Sequence, residues 1–587
     1  MTTELSSRAG AVAGQHESML DLMIARAETA AERGVTFFDS PDAFQRLTYR
    51  DLDRRARRGA ARLRRAGYRP GDRALLIFEP GLEFVCAVYT AIYAGLTVVT
   101  APLTFARSHE TMYRRVLRVG SDSKSQLVLT TREIGDEVEK VGSPARIHHI
   151  LLDDPPDEEA DNWEHPGTRA GDLAILQYTS GSVGLPKGVC VTHRNLLANH
   201  AAVAALIDPA LEHTIVGWLP HYHDMGLTLY IASIVGGYDF VGTSPRQFLQ
   251  RPAFWLELIT RFRGTTTAAP DFAYSLCARL VTDEQASSLD LSSLRVAITG
   301  AEPVKVKTLE QFESRFVPRG FDQHASMPAY GMAEVTVLAA AKRAQVPLNV
   351  LNVDAEALEH GTVALVDEGV QRATKVVSCG PPALGCHIVI VDPVTLVKLG
   401  SGQVGEIWIS GESVTDGYWQ RPDETAEAFG GRLVGEPDLY LRTGDLGFLQ
   451  DGELVVTGRI KDLIILHGRN IYPTDLEDVA SREASHGESV SVAFEGPEQS
   501  VVAVVEWNGE PVTASEMAAR VRQELHREFS LGRVRVVLTC RGGIPRTTSG
   551  KVQRSLTREA LAKGSLTVLH DTEAPVSGQA GDVDDKP

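Results

Sequence analysis

The sequence predicts an α/β protein: a large N-terminal domain of layered sheets and helices, followed by a small C-terminal α/β domain. Three observations carry this. Short apolar runs alternate with amphipathic helical segments along most of the chain. The texture changes after Gly458, where RIKDLIILHGRNIYPTDLEDVA reads as a connector, a strand, a turn and a new helix. The 587 residues, 43% of them hydrophobic, exceed what one small core needs.

Leu52 to Ala66 sets Leu52, Ala56, Ala60 and Leu63 on one helical face and arginines on the rest. A solvated amphipathic helix accounts for that pattern better than an RNA-binding one. Gly67 and Pro70-Gly71 end it. Ala74 to Phe78, ALLIF, reads as a buried strand, and Phe84 to Ala94 as a helix. Recurrence of this alternation implies largely parallel sheets. Leu173 to Leu176 and Val404 to Ser410 read as strands, and Asp451-Gly452 as the turn of a hairpin. Thr474 and Glu477 fit a capping box opening a late helix. The expected division is 1–458, then 459–570, then a disordered tail over 571–587. From Glu573 onward the chain is polar and aperiodic.

Charge and cysteine usage exclude several classes. The net charge of −17 argues against nucleic acid or anionic lipid as a bulk-charge partner. The six cysteines include no CxxC pair, which fits reduced thiols in a cytoplasmic protein. No signal peptide is evident at MTTELSSRAGAVAG, and no apolar run is long enough for a membrane span.

The chemistry concentrates in YTSGSVGLPKGV, Tyr178 to Val189, just after a strand-like run. Thr179, Ser180, Gly181, Ser182, Gly184 and Lys187 share one loop. Glycines let amides turn toward a phosphate, and hydroxyls and a lysine add donors and charge. It is not a Walker loop, because Gly188 follows Lys187 where a Ser or Thr is required. The loop resembles the phosphate loop of adenylate-forming enzymes: acyl-CoA synthetases, luciferases, peptide-synthetase adenylation domains and fatty acyl-AMP ligases. Val183 departs from it, standing where the family usually has threonine.

Further segments match in the family's order. AYGMAE, with Tyr330, Gly331, Met332 and Glu334, resembles its aromatic-plus-acid motif. The resemblance implies that Tyr330 packs on adenine and that Glu334, with Thr179, holds Mg2+. GAEP, with Gly300, Ala301 and Glu302, resembles the adenine-side loop. YLRTGDLG resembles the ribose motif, with Asp445 on the ribose hydroxyls. GRIKDLI resembles the hinge, with Arg459 at the nucleotide and Lys461 as pivot of a mobile C-terminal domain. PRTTSGKVQR resembles the catalytic loop that brings Lys551 to the reaction.

Within the family, WLPHYHDMGL resembles the signature of fatty acyl-AMP ligases. This implies His223 near the acyl carboxylate, with Asp224 and Met225 beside the pocket. His221, His223 and Asp224 are candidate metal ligands by residue type, but their spacing is poor for a metal site. FLQRPAFWLELITRFRGT and GRNIYPTDLE follow the same branch. So does an inserted segment at about 342–375, which the resemblance ties to restraint of domain movement and to disfavoured reaction with free coenzyme A. Asp271 stands where this branch commonly carries asparagine; it is either a neutral swap or a pocket carboxylate favouring a polar acid.

The resemblance covers roughly residues 20 to 570. It implies ATP-dependent activation of a carboxylic acid, a fatty acid in this branch, to an acyl-adenylate with Mg2+, followed by transfer to the phosphopantetheine thiol of an acyl carrier protein. Too little chain follows Lys551 for a carrier domain, so the carrier is expected in trans. Three rival readings are an acyl-CoA synthetase, an amino-acid-activating domain and a nucleotide-binding regulator without catalysis.

Overall fold

The computed structural model describes residues 16–101, 109–143, 145–150, 162–179, 186–206, 213–370, 372–466, 469–485, 489–510, 513–546 and 551–573. The chain divides into two compact units, Met1–Thr457 and Gly458–Pro587.

The first unit holds two large sheets. One has six strands, and five of them, from Arg146–His149 through Leu173–Thr179, run parallel. Its sixth strand, Lys187–Thr192, returns antiparallel to Leu173–Thr179. The other has eight strands with a parallel middle and antiparallel edges. A single apolar core joins these layers, packed around helices such as Tyr49–Arg65 and Leu82–Tyr93. The first of these helices starts at a capping box in which Thr48 and Asp51 satisfy each other's backbone amides. It buries Leu52, Ala56, Ala60 and Leu63 and leaves most of its arginines outside.

The expectation of largely parallel sheets fails for the third sheet of this unit. Its five strands, among them Cys386–Val391, Gly405–Gly411 and Leu439–Gln450, are antiparallel. Antiparallel neighbours need no crossover helix: Leu439–Gln450 turns directly into Glu453–Arg459, although the helix Pro422–Phe429 lies in the connection that follows Gly405–Gly411. Asp451 and Gly452 both adopt left-handed φ, 53° and 80°, as a tight hairpin between Leu439–Gln450 and Glu453–Arg459 requires. The segment at about 342–375 has structure of its own. Val350–Asp354 and Ala373–Val377 form an antiparallel ribbon around the short helix Ala355–Glu359. Lys342 anchors its start by donating to the carbonyls of His324, Arg343 and Val346. Burial lowers that ammonium's pKa to about 8.

The second unit is a four-stranded mixed sheet covered by the helices Pro473–Ser485 and Ala514–Phe529, with its own apolar core. Two expectations need correction here. Glu477 closes no capping box: its carboxylate takes two bonds from Arg554 at 2.7 Å and one from the Ala493 amide. Pro473 opens that helix instead, where a missing N–H costs nothing. The chain is also not disordered from 571. Val568–Asp571 pairs with Val534–Thr539, Arg535 grips Asp571, and Thr572 bonds to Val536. Edge-strand pairing supplies backbone bonds that a polar composition does not reveal. The rest of the expected tail, 574–587, lies outside the described residues.

Candidate active site

The site of the first unit is built on the hairpin Leu173–Thr179 and Lys187–Thr192, with Thr179 opposite Lys187. Ser180, Gly181, Ser182, Val183 and Gly184 lie outside the described residues, as does the side chain of Thr179. Tyr178 donates to Asp122 at 2.7 Å, and Asp122 also receives Arg421 at 2.6 Å. Lys187 pairs with Glu424, and its ammonium lies over the ring of Tyr418, 4.9 Å from the centroid.

The motifs that are remote in sequence converge. The Tyr330 hydroxyl donates to Asp445 at 2.7 Å, and both residues are buried. The Tyr418 hydroxyl donates to Glu334 at 2.8 Å, and the Glu334 carbonyl accepts from the Thr415 amide. Burial and the neighbouring Glu334 carboxylate push the Tyr418 phenol far above the ordinary tyrosine range, so it remains a donor. Glycine is needed where these segments crowd. A Cβ on Gly331 would stand 1.7 Å from the Val337 carbonyl, and one on Gly300 would stand 2.8 Å from that of Ala329. Ala301 takes a left-handed φ of 66°. Glu302 accepts the Phe272 amide at 2.7 Å, tying the GAEP loop to the helix Asp271–Leu280. Met332 packs in the apolar cluster beside Tyr330.

The His221–His223 turn lies against the same hairpin, because the Gln177 side chain donates to the Tyr222 carbonyl at 2.7 Å. His223 stands at the N-terminal boundary of the helix Asp224–Gly236 with no side-chain capping bond and contacts Asp224 at 2.6 Å, while Asp224 accepts the Met225 amide. His221 points into the core, its ring tilted against Phe84 with centroids 3.9 Å apart, and burial lowers its pKa to about 3. A shared metal site with His223 does not form: among the described residues no cluster of three His, Cys, Asp or Glu side chains could hold a metal.

Asp271 is buried, and both of its oxygens accept bonds within the protein, from the Lys305 amide at 2.9 Å and the Thr308 hydroxyl at 2.8 Å. It therefore ties the helix Asp271–Leu280 to the helix Val306–Phe316. Burial pushes its pKa up to about 7 despite those two bonds, and Glu302 adds to the rise.

In the second unit, Arg459 and Lys461 are exposed in a turn where the Asp462 and Leu463 amides donate to the Arg459 carbonyl. Lys551 follows residues 547–550, which lie outside the described residues; Arg546 and Val552 bridge across this loop. Glu506 fixes its entry by accepting from Arg546 and from the Ile544 amide. Sequence reasoning missed Tyr418, Arg421, Glu424 and Asp122. A lone tyrosine in GYWQRPDET carries no periodic or catalytic signal, and only the pairing of residue 418 with Val189 reveals its role.

With this geometry in hand, the chain can be placed. Residues 25–419 match the family of AMP-binding enzymes, and the chain belongs to that family. Its relatives point within it. A medium-chain-fatty-acid–[acyl-carrier-protein] ligase, JamA, of Moorena producens is 37% identical over 94% of this chain and 96% of its own length. The long-chain-fatty-acid–AMP ligase FadD26 of Mycobacterium bovis is 36% identical over 90% of this chain and 94% of its own. A fatty acyl-adenylate ligase from L. pneumophila, solved with acyl adenylate and pyrophosphate, superposes with a TM-score of 0.73. It is 34% identical and covers 95% of this chain and 98% of its own. Among the described residues, no helix is long and apolar enough to cross a membrane.

Proposed function

We propose that the protein activates a fatty acid with ATP to an acyl-adenylate, releasing pyrophosphate, and then passes the acyl group to the phosphopantetheine thiol of a separate acyl carrier protein. One observation carries the reading. Tyr330 and Asp445, 115 residues apart, meet through a 2.7 Å hydrogen bond, so the aromatic-plus-acid and ribose motifs share one site.

In the first step a carboxylate oxygen attacks the α-phosphorus, and the bond from that phosphorus to the oxygen bridging the β-phosphate breaks. The acid is ionised at neutral pH, so no general base is required. Rate then comes from position and charge neutralisation. The hydroxyls and amides of 179–184, with Lys187, receive phosphate oxygens. Lys551 joins them during adenylation, and His223 orients the acyl carboxylate. Glu334 fits a magnesium ion as a hard carboxylate, and among the described residues no group of three His, Cys, Asp or Glu could hold a metal; Mg2+ keeps few protein ligands and takes the rest from phosphates and water. When bound, the ion supplies charge neutralisation at the phosphates, and Glu334 with Thr179 would hold it.

Pivoting at Lys461 then exposes the mixed anhydride to the carrier's thiolate. Sulfur bonds to the acyl carbon and AMP leaves. The ribbon at about 342–375 restrains that movement and disfavours free coenzyme A. A cytoplasmic setting belongs to the same proposal; the six cysteines form no disulfide, as in a reducing compartment.

The test is incubation with ATP, Mg2+ and fatty acids of graded length, with products read by mass with and without coenzyme A. Acyl-adenylate persisting beside coenzyme A is the expected outcome. Acyl-CoA formation refutes the carrier step, and absence of any adenylate refutes the fatty acid.

A further inference from the structure

We propose that Tyr418 is a positioning residue for adenylation, one rigid ring that holds both Lys187 of the phosphate loop and Glu334 of the acidic motif in place. The inference rests on the reading of Glu334 as the carboxylate that meets Mg2+.

The backbone around Tyr418 is fixed first. The Cys190 amide donates to the Gly417 carbonyl at 2.9 Å, and the Trp419 amide donates to the Gly188 carbonyl at 2.8 Å. Residues 417–419 thus run as a short antiparallel partner of Lys187–Thr192, the exit strand of the phosphate loop. The Tyr418 amide donates to the Thr425 hydroxyl at 3.0 Å, closing the turn beyond. Two residues before Gly417, the Thr415 amide fixes the backbone of Glu334.

The side chain completes the junction. Its hydroxyl donates to one oxygen of Glu334 at 2.8 Å, its face receives the Lys187 ammonium at 4.9 Å, and Phe429 packs edge-on at 5.4 Å. A phenol on a carboxylate makes a charge-assisted bond, and a cation over an aromatic face gains from the ring quadrupole. Left to themselves, a lysine and a glutamate drawn to one site attract and neutralise each other. Here they meet different parts of one ring, so the carboxylate stays directed for a cation and the ammonium for a phosphate. Neighbours reinforce the arrangement. Glu424 also pairs with the Lys187 ammonium, and Arg421 grips Asp122, which accepts Tyr178 on the entry strand. Residues 418–424 therefore hold both flanks of the loop.

The experiment uses the full chain with ATP and no acid, so nothing turns over, and reads Mn2+ binding by electron paramagnetic resonance. Tyr418→Phe keeps the ring and deletes one bond, so it weakens Mn2+ binding about tenfold while metal-free ATP affinity stays near wild type. Tyr418→Leu removes the ring as well and lowers both. Glu424→Gln loosens Lys187 but spares the phenol, so its Mn2+ affinity stays at wild type. Mn2+ affinity in Tyr418→Phe within about twofold of wild type overturns the proposal, as does an equal loss in Glu424→Gln. Glu334→Gln separates the two layers of the argument. If it too leaves Mn2+ binding intact, the metal reading of Glu334 fails; if it alone weakens binding, only the role of Tyr418 fails.

Discussion

Asp271→Asn is expected to stabilise the protein at alkaline pH and to do nothing in acid. Burial lifts the pKa of this carboxyl to about 7 in the folded chain, against about 4 for an exposed aspartate. Between those values the folded state binds more protons than the unfolded one, so stability falls as the pH rises through the window. Above it the penalty is complete. At about 1.4 kcal/mol per tenfold, the ionised carboxylate costs the fold up to about 4 kcal/mol. An asparagine keeps the geometry: its carbonyl accepts the Lys305 amide, and its NH2 donates to the Thr308 hydroxyl, which the aspartate engages as acceptor. Reversing the sense of the second bond forfeits part of the gain, leaving about 1–3 kcal/mol at pH 8.

The assay is urea unfolding of wild type and variant at three pH values, about 4, 6 and 8, following the transition of the first unit. The variant's advantage should be largest at the highest pH and vanish at the lowest. A variant less stable than wild type at pH 8, or an advantage that does not change with pH, refutes the argument. The same variant decides between the two roles that the sequence left open. With both oxygens bonded to Lys305 and Thr308, the profile of acids activated should not move. A shift toward plain fatty acids would instead assign the carboxylate to the acyl pocket.

Lys551→Ala should cut acid-dependent pyrophosphate release by about a hundredfold or more and leave thermal unfolding unchanged; release near the wild-type rate refutes its catalytic role. Gly331→Ala places a Cβ 1.7 Å from the Val337 carbonyl, and about 3 kcal/mol or more of stability should be lost in thermal unfolding, since backbone has to move. Tyr330→Phe deletes the bond to Asp445 and keeps the ring, so the KM for ATP should rise about fivefold to tenfold while the KM for the acid holds.

The parts of this molecule that were legible in the sequence are those in which one residue type meets one local demand. The helix over 49–65 declares itself through apolar spacing. Asp451-Gly452 declares a hairpin because both residues need left-handed backbone. What stayed hidden is what long-range pairing decides. Glu477 has the spacing of a capping box, but Arg554, 77 residues away, offers two charge-assisted bonds that a backbone amide cannot match. Asp571 and Thr572 read as the start of a disordered tail until the edge of Val534–Thr539 is there to pair with them.

Tyr418 shows the same limit at the site itself. Nothing in GYWQRPDET marks a functional residue, since its value lies in having Lys187 over its face and Glu334 at its hydroxyl at once, across sequence separations that no local pattern spans. A motif names the groups proposed to touch the nucleotide. The groups that hold those groups are chosen by shape, and a ring with a donor at one end is among the few side chains that can steer two opposite charges without letting them cancel. The sequence can therefore be read for the chemistry of adenylation well before it can be read for the parts that aim it.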